Sequence, residues 1–113
     1  FWDRFFGDPL FSGDLISGDL TWYVEKCGEY GTPLDSRSSY TKSDWILWCA
    51  SMAEDKEMFQ ALTAPVAAYV KETESRVPFS DWYDTVSGRY CHFIARRVQG
   101  GIYMPMFMER FKK

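Results

Sequence analysis

Two short stretches concentrate the side chains that could do chemistry. Residues 35–44 carry Asp35, Arg37, Tyr40, Lys42 and Asp44, and residues 81–84 carry Asp81, Trp82, Tyr83 and Asp84. Both mix carboxylates with aromatic rings, and the first adds two cations. Pockets for polar small molecules are built from such mixtures, with aromatic walls and a few directed polar groups. Two carboxylates delivered by different loops can also work as an acid–base pair on water or on a leaving group. Each residue has a plainer reading beside this one. Asp44 near a helix start can serve the helix dipole, and Asp35 with Arg37 can be an ion pair that fixes its own loop.

Other arrangements carry less. Ser39-Tyr40-Thr41-Lys42 matches S-x-x-K, the spacing that sets a lysine amine one helical turn from a serine nucleophile. Serines and lysines are frequent enough here for a chance match, and Ser39 precedes the expected helix. No G-x-S-x-G elbow is present, and "GDLISGDL" has neither the glycine spacing nor the lysine of a phosphate loop. Cys91 and His92 are neighbours in sequence, which does not make them a catalytic dyad. Cys27, Cys49 and Cys91 are odd in number and widely spaced, and His92 is the only histidine. A zinc site lacks its four ligands. The thiols read as small buried hydrophobes, with one disulfide plus a free thiol, or a bridge to missing chain, as the alternatives.

These residues need elements to hold them. Trp2, Phe5 and Phe6 before Gly7 read as a helix end with a glycine stop. A second helix is expected over 14–30, because Ile16, Leu20, Tyr23, Cys27 and Tyr30 recur on one helical face. Gly31 would end it, and residues 31–42 would form a polar loop. Ser43 would cap a short helix whose positions Trp45–Ala50 are all apolar, as in a helix buried on every side. Asp55 would cap the next, with Met58, Phe59, Leu62, Val66, Tyr69 and Val70 inward and a kink at Pro65. Residues 73–96 read as irregular, with a brief extended piece at "GRYCHFIAR". A last helix is expected over 98–111, disturbed by Pro105, with Ile102, Met106 and Phe107 inward. No alternating strand pattern is convincing. The reading is all-α, with about four to five helices arranged as hairpins and long loops between them.

Composition bounds the partners. The chain has 113 residues, 46% hydrophobic and 19% aromatic, enough apolar surface for a core and too aromatic for a disordered segment. The surplus points to a partner surface or to a larger whole. Net charge is −3. Arg96–Arg97 and Lys112–Lys113 are too little basic surface for nucleic acid, and no apolar run reaches membrane-spanning length. There is no asparagine, hence no N-glycosylation acceptor. The chain opens at Phe1-Trp2-Asp3, in what reads as the middle of an element, so a processed or truncated product is expected.

"LFSGDLISGDLTWYVEKCGEYGTPLDSRSSYTKSDWILWCASMA", then "VPFSDWYDT" and "ARRVQGGIYMPMF", resembles the C-terminal part of the fungal and bacterial glutaminase A family. The most specific pieces are "YGTPLDSRSSYTKSDW" and "PFSDWYDT". The resemblance runs from about Trp2 to Phe107. It implies a partial six-hairpin α/α toroid, with residues 1–113 as the C-terminal segment of a larger domain. In such toroids rim loops line a central cavity and inner helices anchor them. It further implies hydrolysis of glutamine to glutamate and ammonia, outside the cell or at the cell wall, with no cofactor and no metal. The matching motifs supply Asp44, Asp81 and Lys42 as catalytic candidates, where Asp44 or Asp81 would position or activate water. Asp35, Arg37, Tyr40, Tyr83, Asp84 and Arg96 are the substrate-binding candidates, with Arg37 or Arg96 placed to grip a carboxylate in a forked pair. The expected partners are the remaining segments of the same enzyme and glutamine, with no nucleic acid and no membrane span. A carbohydrate-active enzyme on the same scaffold, or a non-catalytic helical fragment, are the alternatives.

Overall fold

A computed structural model describes residues 1–111 of the chain. Lys112 and Lys113, counted above among the basic residues, lie outside them. Five α-helices are present among the described residues: α1 Trp2–Phe6, α2 Gly13–Glu25, α3 Ser43–Ala50, α4 Lys56–Glu72 and α5 Met104–Phe111. A 3₁₀ helix, Arg97–Tyr103, leads directly into α5. No helix among them is long and apolar enough to cross a membrane.

Local chemistry sets the helix ends. The Ser12 hydroxyl caps α2 by accepting from the Leu15 amide at 3.2 Å, so the helix begins at Gly13, one residue ahead of the expected start. Asp55 caps α4 as its sequence position suggests, accepting from the Met58 amide at 2.7 Å. The helix α4 then runs unbroken through Pro65. The second helix stops at Glu25 rather than at Tyr30. Residues past it turn away because Gly28 and Gly31 pair with each other, the Gly28 amide donating to the Gly31 carbonyl at 2.8 Å. Gly31 is therefore a loop residue, and its φ of 129° is open to glycine alone. A Cβ there would also lie 2.9 Å from Ile46 Cδ1.

The core forms where α2, α3 and α4 meet. Leu20, Ile46, Ala50, Leu62 and Val66 are its buried members, with Tyr23, Met58 and Phe59 packed around them. Several inward expectations are corrected. Trp45 is 56% exposed, so α3 is not buried on every side; Ser43, Asp44, Ile46 and Ala50 form its buried face. Val70 is exposed, and in α5 Met108 is buried while Met106 and Phe107 face out. A 3₁₀ turn precedes α5, so residues 98–111 do not share the single helical periodicity on which that expectation rests.

The all-α reading also misses a small sheet. Strands β1, Tyr40–Lys42, and β2, Trp82–Asp84, pair antiparallel with Tyr40 opposite Asp84, Thr41 opposite Tyr83 and Lys42 opposite Trp82. Thr41 and Tyr83 point inward and are buried. "GRYCHFIAR" is not a continuous strand. Tyr90 alone bridges to Tyr83, and His92 and Ala95 take left-handed φ values of 57° and 52°, which end any extended run.

Candidate functional site

The β1–β2 ladder brings the two chemical stretches together. β1 runs straight into α3, with Lys42 extended at the helix boundary and no side chain capping it. The cap comes from elsewhere: the Ser43 amide donates to the Asp81 carbonyl at 2.9 Å. This fixes the start of α3 to the residue just before β2. Lys42, Ser43, Asp44 and Asp81 thereby gather at one end of α3. The expected Ser43 cap is not formed, and Ser43 Oγ is buried without a partner among the described residues.

Asp44 is 5% exposed, and its Oδ1 is buried with no hydrogen-bond partner among the described residues. Burial pushes its pKa above the usual carboxylate value, and the Asp81 carboxylate adds to the rise. A backbone hydrogen bond and the cations of Lys42 and Arg96 pull the other way without cancelling it. A carboxyl raised in this way holds its proton more tightly than a solvated one.

Asp81 is fully buried and already engaged. Arg96 Nε donates to its Oδ1 at 3.0 Å, and a second guanidinium nitrogen bonds Oδ2. The guanidinium also lies over the Phe93 ring, 4.4 Å from its centroid. The two left-handed residues His92 and Ala95 produce the turns that return the chain so that Arg96 meets Asp81. Asp44 and Asp81 are thus two different carboxylates, one with an oxygen unpartnered among the described residues and one locked.

Lys42 stands opposite Trp82 in the ladder, and Trp45 reaches it from the first turn of α3. Its Nζ lies 5.5 Å from the Trp82 ring centroid and 5.7 Å from that of Trp45. Tyr40, two residues away on the same face of β1, meets Trp82 edge-on at 6.4 Å. These side chains make an aromatic, cationic rim.

The remaining candidates serve the frame. Arg37 bonds Asp35 through Nε at 3.0 Å, through its outer nitrogen at 2.6 Å and through its amide at 2.8 Å. The Arg37 guanidinium holds the Asp35 carboxyl down to about 2, and the pair sits on the open loop. Asp84 is a turn-fixing residue: Oδ1 accepts from the Val86 amide and from the Ser87 amide and hydroxyl, while Oδ2 accepts from Ser39. Burial would raise its pKa, but these bonds outweigh burial and lower it. Tyr83 is fully buried, stacks on Tyr69 at 3.5 Å between centroids and donates to the Tyr30 carbonyl at 2.7 Å. Burial, then the Tyr69 and Cys27 neighbours, push its pKa well up. It belongs to the core and does not line the rim. Ser39 and Lys42 lie along an extended stretch rather than a helix, and Ser39 donates to Asp84, so S-x-x-K has no geometry here. Cys27, Cys49 and Cys91 are free thiols.

Two residues that sequence reasoning passed over complete the site. Trp48 is one turn past Asp44 on α3, and its Nε1 is buried without a partner among the described residues. Gly101, in the 3₁₀ helix, packs against both: a Cβ there would lie 2.6 Å from Trp48 Nε1 and 2.9 Å from Asp44 Cβ. The i, i+4 spacing of Asp44 and Trp48 was the available signal for the first. Nothing local marks Gly101 apart from Gly100 beside it. The nearest recess, about 60 Å³ and lined by Tyr23, Leu34, Trp45, Ile46, Cys49 and Leu62 among others, is apolar and does not include Asp44 or Asp81.

The family model described as the glutaminase A six helical-hairpin domain matches residues 1–106. Glutaminase A of Aspergillus oryzae is 39% identical over 112 residues, covering 94% of this chain and 16% of that protein. A protein of Arthroderma benhamiae named "Probable glutaminase" is 36% identical over 92 residues, covering 79% of this chain and 11% of that protein. The chain therefore spans less than a fifth of the length of these curated relatives. No solved structure matches.

Proposed function

The chain belongs to the glutaminase A six helical-hairpin family, and on that premise we propose that it forms part of the active-site wall of an enzyme that hydrolyses the side-chain amide of glutamine to glutamate and ammonia. The observation that carries this reading is Asp44: an almost wholly buried carboxyl with an oxygen unpartnered among the described residues, two residues on from Lys42, whose ammonium is flanked by the Trp45 and Trp82 rings. In the proposed reaction Asp44 takes a proton from water as the water oxygen bonds to the amide carbon. The tetrahedral adduct then expels ammonia as the proton passes to nitrogen, leaving the carboxylic acid. Asp81 acts as a positioning residue, since both its oxygens are held by Arg96 and its carbonyl caps α3.

The wider architecture follows from the same premise. We place these helices in a partial α/α toroid whose other hairpins come from the rest of the polypeptide. Trp2, Phe6, Tyr103 and Phe111 are large apolar side chains left exposed, a surface suited to such neighbours. On the resemblance alone we place the enzyme outside the cell or at its wall. A glycosidase on this scaffold needs two available carboxylates, and the locking of Asp81 disfavours it.

The test is ammonia release from L-glutamine by the complete enzyme, wild type against Asp44→Asn. Loss of a general base should lower kcat by at least about a hundredfold. Wild-type turnover in the variant, or none in the wild type, overturns the reading.

A further inference from the structure

The site holds three cations that could meet a substrate carboxylate, and two are already occupied. The Arg96 fork is spent on Asp81. The Arg37 fork is spent on Asp35, out on the loop. Lys42 differs from both. Among the described residues no carboxylate lies within ion-pair reach of its ammonium. Its flanks are the Trp45 and Trp82 rings at 5.7 and 5.5 Å. Ring faces steady a cation but accept none of its three N–H bonds as a carboxylate oxygen would.

We propose that Lys42, rather than Arg37 or Arg96, binds the carboxylate end of the substrate, with Trp45 and Trp82 as apolar walls beside it. The inference rests on the reading of the protein as an amidohydrolase and adds what the substrate must carry. The backbone supports the assignment. Lys42 and Asp44 are separated by one residue at the β1–α3 junction, and the Lys42 cation pulls the Asp44 pKa down. Lys42 offers an unpaired cation at the rim, so the ligand it would hold carries a carboxylate at one end, with a short methylene chain along the indoles. Arg37→Ala and Arg96 variants would then act through the frame, while Lys42 sets specificity.

The experiment compares L-glutamine with 4-aminobutanamide, which is glutamine without its α-carboxylate. It uses the complete enzyme as wild type, Lys42→Met and Lys42→Arg. In Lys42→Met the ratio of kcat/KM for glutamine over 4-aminobutanamide should fall about tenfold to a hundredfold, mostly through KM for glutamine. Lys42→Arg should recover most of the ratio. A second readout needs no turnover: L-glutamate, titrated against the fluorescence of the flanking tryptophans, should bind the wild type and not Lys42→Met. Circular dichroism verifies folding, and Lys42→Gln replaces Lys42→Met if the latter does not fold. An unchanged substrate ratio, or glutamate binding as tight as wild type, overturns the assignment. If the wild type releases no ammonia, the enzymatic reading fails, and the glutamate titration decides on Lys42 by itself.

Discussion

Arg96 grips Asp81 with both prongs of its guanidinium, Nε meeting Oδ1 at 3.0 Å, and the carboxylate it holds is fully buried. Removing one member of such a pair leaves the other charge in a poor solvent. The arginine side chain is 28% exposed, so water offsets part of the loss. Asp81→Asn or Arg96→Met should therefore cost about 2–4 kcal/mol, read as a fall in the thermal midpoint. Arg96→Lys keeps the charge but loses the fork, and should recover only part of the midpoint. Equal midpoints for wild type and Arg96→Met would refute the account.

Asp44 gives a pH dependence with a definite sign. Its carboxyl pKa is raised above 3.8 in the folded protein, chiefly by burial. The folded state then binds the proton more tightly than the unfolded chain does. Its contribution favours folding most at acid pH, below the unfolded value, and declines as pH rises through the folded value. Asp44→Asn removes that decline. The stability of the variant relative to wild type should rise as pH climbs from the unfolded carboxyl value through the raised folded value, and then level off. Parallel stability curves across that range would contradict the raised pKa.

Gly101 has no room for a side chain. The Cβ of alanine would lie 2.6 Å from Trp48 Nε1 and 2.9 Å from Asp44 Cβ. Overpacking of this kind costs about 1–3 kcal/mol. Gly101→Ala should lower the thermal midpoint, shift the Trp48 emission and reduce turnover through displacement of Asp44. Gly100→Ala is the control, since nothing lies within 4 Å of the Cβ position there. The same midpoint in both variants would show that the packing does not matter.

Tyr83 tests the frame rather than the chemistry. Tyr83→Phe leaves the ring stacked on Tyr69 and deletes only the bond to the Tyr30 carbonyl. A buried hydrogen bond lost with its acceptor left in place costs about 1–3 kcal/mol. The midpoint should fall accordingly, and the acid–base titration of the remaining tyrosines should be unaffected. No change in midpoint would mean that the Tyr30 carbonyl finds another donor.

What the sequence made legible was what is local. The Asp55 cap and the face of Met58, Phe59, Leu62, Val66 and Tyr69 placed α4 well, because a long periodic helix declares itself within a few turns. The chemical stretches were found from their composition. Their pairing was not, because β1 and β2 have 3 residues each, too few to show an alternation. Tyr83 looked like a binding residue because a motif does not say which way a strand residue faces. The Asp81–Arg96 pair depends on left-handed turns at His92 and Ala95, and neither residue type signals one strongly. Asp35 with Arg37 is the plainer of its two readings, an ion pair within its own loop.

The three-rung ladder has a further consequence for how this protein can change. Thr41 and Tyr83 face inward while Lys42 and Trp82 face the rim. Strand side chains alternate, so a one-residue deletion inside either strand would exchange these sides, putting a lysine in the core and a threonine at the mouth. Positions 40–42 and 82–84 are therefore confined to substitution.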